Sequence, residues 1–281
     1  MKVFEITKAK SPDILIENPK KVINDLEKYY SNSNTLKTKI GAILTYVKDY
    51  KDSEAKEDAV NIYLNVVDKY NTDIKNNLAS HKKTPEEEKN WTNENDIKQI
   101  TENLKKDVPA KIHTINDLNK FRNYIIFILY QDIPSRLDIA DAKILFKTKK
   151  PLNDEHNYII LDRKNKTAVY HMFNYKTKTT YGDKEIQINK DLYKPLEDYK
   201  RNVDRFNNDN WFLLNDKGEK LSRNRLSTIY SKLGASIGKK LGISQNRHIH
   251  ISNLVPIKKM EDLSNKMGNS INEQINVYSK I

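Results

Sequence analysis

Five short segments of this 281-residue chain hold side chains able to act together on an anionic ester. In order they are Ile133-Pro134-Ser135-Arg136-Leu137-Asp138-Ile139, Phe173-Asn174-Tyr175-Lys176-Thr177, Asn246-Arg247-His248, Met267-Gly268-Asn269-Ser270 and Asn276-Val277-Tyr278. A guanidinium presents paired N–H donors, so Arg136 and Arg247 can clamp the non-bridging oxygens on which charge builds during attack. The phenol of Tyr278 can serve as nucleophile, and the ammonium of Lys176 can protonate a departing oxygen. Asn269 can add a hydrogen bond to a phosphate oxygen. Other chemistries are missing. The chain has no Cys, which excludes disulfides, cysteine-based zinc sites, iron–sulfur clusters and thiol nucleophiles. It has neither a glycine-rich phosphate loop with its Lys nor a nucleophile-elbow Ser. The six His are scattered, and His248 and His250, two apart, face different sides of a helix. Neither a metal nor a cofactor is expected.

The order of these segments resembles the catalytic domain of the tyrosine recombinases, the phage-integrase family. That family uses an Arg, a hairpin Lys, a His-x-x-Arg box, a His or Trp after Gly, and a nucleophilic Tyr. The resemblance assigns these places to Arg136, Lys176, Arg247, Asn269 and Tyr278, with Lys176 preferred to Lys178. The Pro-x-Arg-x-Asp form around Arg136 is most similar to integrases of large DNA viruses, virophages and related mobile elements. The separations suit the family: 40 residues from Arg136 to Lys176, 111 from Arg136 to Arg247, and 31 from Arg247 to Tyr278. Two positions depart from the pattern. Ser244 stands where the box His belongs, and Asn269 where the later His or Trp belongs. A hydroxyl and an amide can hydrogen-bond, but neither can exchange a proton near pH 7. His248, beside Arg247, is a further candidate.

The elements that must position these residues follow from periodicity. Apolar stripes at Ile23, Leu26, Tyr29 and Tyr30, at Leu36, Ile40, Ile43, Leu44 and Val47, and at Ala59, Ile62, Tyr63, Val66 and Val67 indicate helices. His81 to Asn95 has no apolar period and reads as a linker. Ile97–Leu104 and Ile115–Tyr130 read as helices. Tyr158–Leu161, Ala168–Phe173 and Glu185–Ile188 read as strands of a small antiparallel sheet. Helical patterns resume at Leu192–Tyr199, Leu221–Leu233, Ala235–Leu241, Arg247–Leu254, Met260–Met267 and Ile271–Tyr278. The expected fold is mainly α with a small antiparallel β-sheet. Residues 1–90 would be a helical, core-binding-like domain with its linker, and residues 91–281 an α+β catalytic domain.

Charge points to the partner. The net charge is +12, and residues 91–281 carry +11 of it, with 34 basic and 23 acidic side chains. Double-stranded DNA is the expected partner, and no segment combines a wide apolar face with a basic one as a membrane surface would need. The start, Met1-Lys2-Val3-Phe4-Glu5, lacks the apolar core of a secretory signal, so an intracellular location, wherever the target DNA lies, is expected. The resemblance implies a recombinase whose two domains clamp duplex DNA and which assembles as a homotetramer on it. Two alternatives stay open: a type IB topoisomerase-like enzyme with the same chemistry, and a catalytically degenerate DNA-binding protein of the same fold.

Overall fold

The structure, a computed structural model, describes residues 2–8, 11–50, 54–79, 82–147, 151–252, 257–270 and 273. The chain divides into two compact units, Met1–Lys82 and Lys83–Ile281.

The first unit is helical: α1 (Lys2–Thr7), α2 (Ile14–Glu17), α3 (Pro19–Tyr29), α4 (Ser33–Lys48) and α5 (Glu54–Ala79). On α4 the expected stripe Leu36, Ile40, Ile43, Leu44 and Val47 is buried. Its N-cap is Asn32, whose side chain accepts from the Thr35 amide at 3.0 Å and so satisfies a first-turn N–H. On α3 the buried face is Val22, Ile23 and Leu26. Tyr29, expected in that stripe, is exposed at the helix end, edge-on to Tyr30.

The second unit continues with α6 (Pro85–Asn90), α7 (Glu94–Asp107) and α8 (Ile115–Asp132). It then has β1 (Ala142–Phe146), β2 (Asn157–Asp162), β3 (Thr167–Met172), α9 (Lys178–Tyr181) and β4 (Lys184–Ile188). The last elements are α10 (Tyr193–Val203), α11 (Arg223–Lys232), α12 (Ile243–Ser252) and α13 (Ile257–Met267). The core is built around α8, which starts at a capping box between Thr114 and Asp117. It buries Leu118, Phe121 and the run Ile125 to Tyr130, and it packs against α7, α10 and α11. Apolar residues on every side of its second half suit a helix enclosed by neighbours.

The strand order is β1-β2-β3-β4. β2 pairs antiparallel with β3 (Tyr158 opposite His171), and β3 pairs antiparallel with β4 (Ala168 opposite Ile188). The small sheet is therefore as expected except at one edge. There β1, absent from the sequence reading, pairs parallel with β2, Ala142 opposite Asn157, which makes the sheet mixed. Ala142–Phe146 follows a 3-10 turn, Leu137–Asp141, without the Gly or Pro punctuation that marks a strand start. Beyond β1 the segment around Trp211 continues the ladder: the Ile144 amide donates to Asn210 O and the Phe212 amide to Ala142 O, both at 2.9 Å.

Two other expectations are corrected. Most of the anticipated linker is helical: α6 begins with Pro85 after a Thr84–Glu87 capping box and carries Glu86, Glu87 and Glu88 in its first turn. Caps and charge at the helix N-terminus sustain it without an apolar face, which is why periodicity passes over it. In place of a helix over Ala235–Leu241 there is one 3-10 turn, Ala235–Ile237, ended by Gly238 at φ +69°. The expected helix Ile271–Tyr278 lies outside the described residues apart from Glu273.

Among the described residues, no helix is long and apolar enough to cross a membrane.

Candidate active site

Arg136 follows Pro134 and Ser135 beyond the end of α8 and occupies the N-cap position of the 3-10 turn Leu137–Asp141. Its backbone is held by the core. The Tyr130 hydroxyl donates to Arg136 O at 2.9 Å, and Ser135 is 1% exposed. The guanidinium itself is about one quarter exposed and reaches Glu273 Oε1 at 3.6 Å. The arginine that meets solvent is thus mounted on a buried backbone.

Arg247 arrives from α12 and is buried. One guanidinium nitrogen donates to Pro134 O at 3.4 Å, two residues before Arg136. Its neighbour Asn246 donates to Tyr130 O at 2.9 Å, so α12 is fastened to the end of α8 by consecutive side chains. α12 begins at Ile243, earlier than expected, and Ser244 is therefore an exposed residue of its first turn. His248 is half-buried on the same helix. Nearby His250 is pushed down to about 4 by burial and by Lys266, so it is neutral at pH 7.

Two residues after Arg136 stands Asp138, 4% exposed. Burial pushes its carboxyl up, against the opposing pull of Arg223, Arg136 and Arg247. Arg223, from the first turn of α11, reaches it at 3.3 Å and also pairs with Asp141 at 2.6 Å. Burial raises Asp141 too, but hydrogen bonds from Lys220 and Arg223 outweigh it and hold the carboxyl below its ordinary range. The pair Asp138–Asp141 gathers cations from three separate elements around the turn that carries Arg136.

Lys176 lies between β3 and β4, in the place of the hairpin Lys that the resemblance implies, and the connection there holds the short helix α9. The Tyr175 hydroxyl donates to Gly182 O at 2.7 Å and closes this connection. Lys176 is exposed and forms no ion pair with another described residue. Lys178, by contrast, faces Asp183 at 3.2 Å and Asp154 at 3.8 Å. The neighbouring Thr177 hydroxyl donates to Gly268 O at 3.1 Å, which places the Lys176 turn against the Gly268-Asn269 turn. Asn269 is 1% exposed there, and its carbonyl accepts from the Ser264 hydroxyl. Gly268 has φ +69°, and a Cβ on it would sit 3.4 Å from the Tyr175 ring. Gly268→Ala is expected to cost about 1–2 kcal/mol, read by urea unfolding, because the left-handed backbone disfavours a side chain.

The two halves of the site are joined by Asn157, the fully buried first residue of β2. Its amide nitrogen donates to Asp138 O at 3.2 Å and to Asn174 O at 2.9 Å. Its amide oxygen accepts from the Phe173 and Asn174 amides at 2.9 and 2.8 Å. One side chain thus links the Arg136 turn to the Lys176 connection. Sequence reasoning missed Asn157 and Arg223. The one available signal was a polar residue opening an apolar strand; Asp138 already stood in the quoted motif. Tyr278 lies outside the described residues. Glu273, five residues before it in the chain, stands at Arg136.

Among the described residues no group of three or more His, Asp or Glu is placed to hold a metal ion.

No protein-family model matches the chain, and no curated protein matches it. Among solved structures it is similar to the crystal structure of XerA recombinase, at 14% identity and a TM-score of 0.47. That match covers 100% of this chain and 83% of the other.

Proposed function

We propose that this chain cuts and rejoins double-stranded DNA through a covalent 3′-phosphotyrosine, as a site-specific recombinase or integrase of the kind carried by viruses and mobile elements. The observation that carries the reading is the convergence of Arg136 and Arg247. Residues 111 positions apart meet at one segment: Arg247 donates to Pro134 O, two residues before Arg136. Two arginines tied to one short segment, one of them buried, suit a ligand with two anionic oxygens.

In this reading Arg136 and Arg247 bind the non-bridging oxygens of the scissile phosphate and stabilise the charge that develops on them. The Tyr278 phenol gives its proton to water, and its oxygen forms the new bond to phosphorus as the bond to the 5′-oxygen breaks. Lys176 gives that oxygen its proton, and rejoining reverses the sequence. The ester bond energy is kept in the phosphotyrosine, so the reaction needs no ATP, and Arg136 and Arg247 supply the positive charge at the phosphate. Asn269 supplies a hydrogen bond to a phosphate oxygen. Ser244 and His248 flank Arg247 as further candidates, with Ser244 in the family's imidazole position. Residues 1–90 act as the core-binding-like domain, and four copies assemble on DNA.

The test is a nicked suicide duplex, on which the cleaved strand cannot be rejoined. A protein–DNA adduct resistant to denaturant is expected; binding without an adduct would leave a degenerate DNA-binding protein, the alternative that Ser244 and Asn269 permit. Strand exchange between two duplexes then separates recombinase from topoisomerase. DNA affinity is also expected to fall steeply with salt, since the charge of residues 91–281 acts through phosphates and their released counterions. A flat dependence of Kd on salt would contradict this.

A further inference from the structure

A second cationic surface lies beside this site, on the edge where the Trp211 segment joins β1. Trp211 pairs with Lys143 of β1 in an isolated antiparallel bridge, and Leu214 pairs with Lys220 in another. The segment from Trp211 to Leu221 is thus a small hairpin set against the sheet. Arg122 of α8 pins it from beneath, donating to Leu214 O at 2.6 Å.

Three groups capable of positive charge meet at one indole. The ammonium groups of Lys143 and Lys220 lie 4.8 and 4.7 Å from the centre of the Trp211 ring, and the His156 ring lies 5.1 Å away. Burial first, then Lys143, lowers the pKa of His156, as like charges should. The nearby carboxylates do not balance the cluster. Asp141 is shared between Lys220 at 2.5 Å and Arg223 at 2.6 Å. Glu155 is exposed and makes no ion pair with another described residue. Lys143 has no carboxylate partner among the described residues. Like charges crowded around one indole cost stability, and an anion settling among them recovers it.

The cluster is also continuous with the site. Arg223 touches Asp138, and Asp138 follows Arg136 by two residues. Asp138 and Asp141 thus connect the turn that carries Arg136 to Arg223 and Lys220, and the Trp211 ring connects Lys220 to Lys143.

We propose that Lys143, Lys220 and Trp211 form a second phosphate-binding surface, which takes the sugar–phosphate backbone of duplex DNA next to the phosphate held by Arg136 and Arg247. The lysines contact phosphate oxygens, and the indole holds both ammonium groups in place and packs against a deoxyribose. This surface rests on the DNA-cutting function proposed above and extends its footprint along one strand.

Trp211 supplies a direct readout. In a Trp91→Phe background it is the one remaining Trp, and titration with a duplex oligonucleotide is expected to shift or quench its emission saturably. Lys143→Gln combined with Lys220→Gln is expected to raise Kd about tenfold near 0.1 M salt. It should also reduce the slope of log Kd against log salt by about two, one unit per lost phosphate contact. Lys143→Arg with Lys220→Arg keeps the charges and is expected to restore both, which separates loss of contact from loss of fold. If the parent chain binds duplex DNA but Trp211 emission and the double-Gln salt slope do not change, this surface is overturned and the proposed function stands. If the parent chain binds no duplex DNA, the proposed function itself falls.

Discussion

Tyr278→Phe is expected to abolish covalent attachment to DNA and to leave DNA affinity within about twofold of the parent chain. The phenol oxygen is the atom that bonds to phosphorus in the proposed reaction, whereas a single hydroxyl adds little to binding dominated by backbone phosphates. Trapping on the nicked duplex reads the first effect, and fluorescence anisotropy on the same duplex reads the second. Adduct formed at the parent rate would remove Tyr278 as nucleophile and transfer the search to the other 15 Tyr. Loss of adduct together with loss of binding would instead mark a defect in folding or assembly.

Asn157→Ala carries the second large effect, because one buried amide holds four backbone groups. Removing it leaves the Asp138 carbonyl unpaired in the core and frees the part-buried Asn174 carbonyl and Phe173 and Asn174 amides. Each unmet buried group costs about 1–3 kcal/mol, less whatever relaxation and entering water recover, so a total near 3–4 kcal/mol is expected by urea unfolding. Cleavage should suffer more than binding, since the Arg136 turn and the Lys176 connection lose their common anchor while their charges remain. Asn157→Asp refines the case. A carboxylate keeps the two accepted hydrogen bonds but cannot donate to the carbonyls, and burial penalises its charge. It should fall near the Ala variant in stability. Single-turnover cleavage unchanged in a folded Asn157→Ala protein would show that the two halves are positioned independently.

The contrast between Asn157 and the helices marks where sequence alone suffices for this chain. The stripes on α4 and the apolar run of α8 declared themselves because burial of neighbouring turns repeats every three or four residues. β2, β3 and β4 were legible from short β-prone runs set between turn residues. The order of Arg136, Lys176, Arg247, Asn269 and Tyr278 and the excess of positive charge after residue 90 are likewise properties of the chain itself. Tertiary structure alone decided which of those side chains meet. β1 pairs parallel because a remote strand lies alongside it, and nothing local to Ala142–Phe146 announces that partner. Asn246 reaches Tyr130 O across 116 residues, and the Arg247 contact with Pro134 O spans 113. Asn157 links the site, and Arg223 reaches Asp138, through contacts of the same non-local kind. The physical reason is one of range. Periodic burial is written into adjacent turns, whereas a polar side chain's role depends on the partner that folding carries to it. An Asn or an Arg reads the same in sequence at the surface and at the centre of a site.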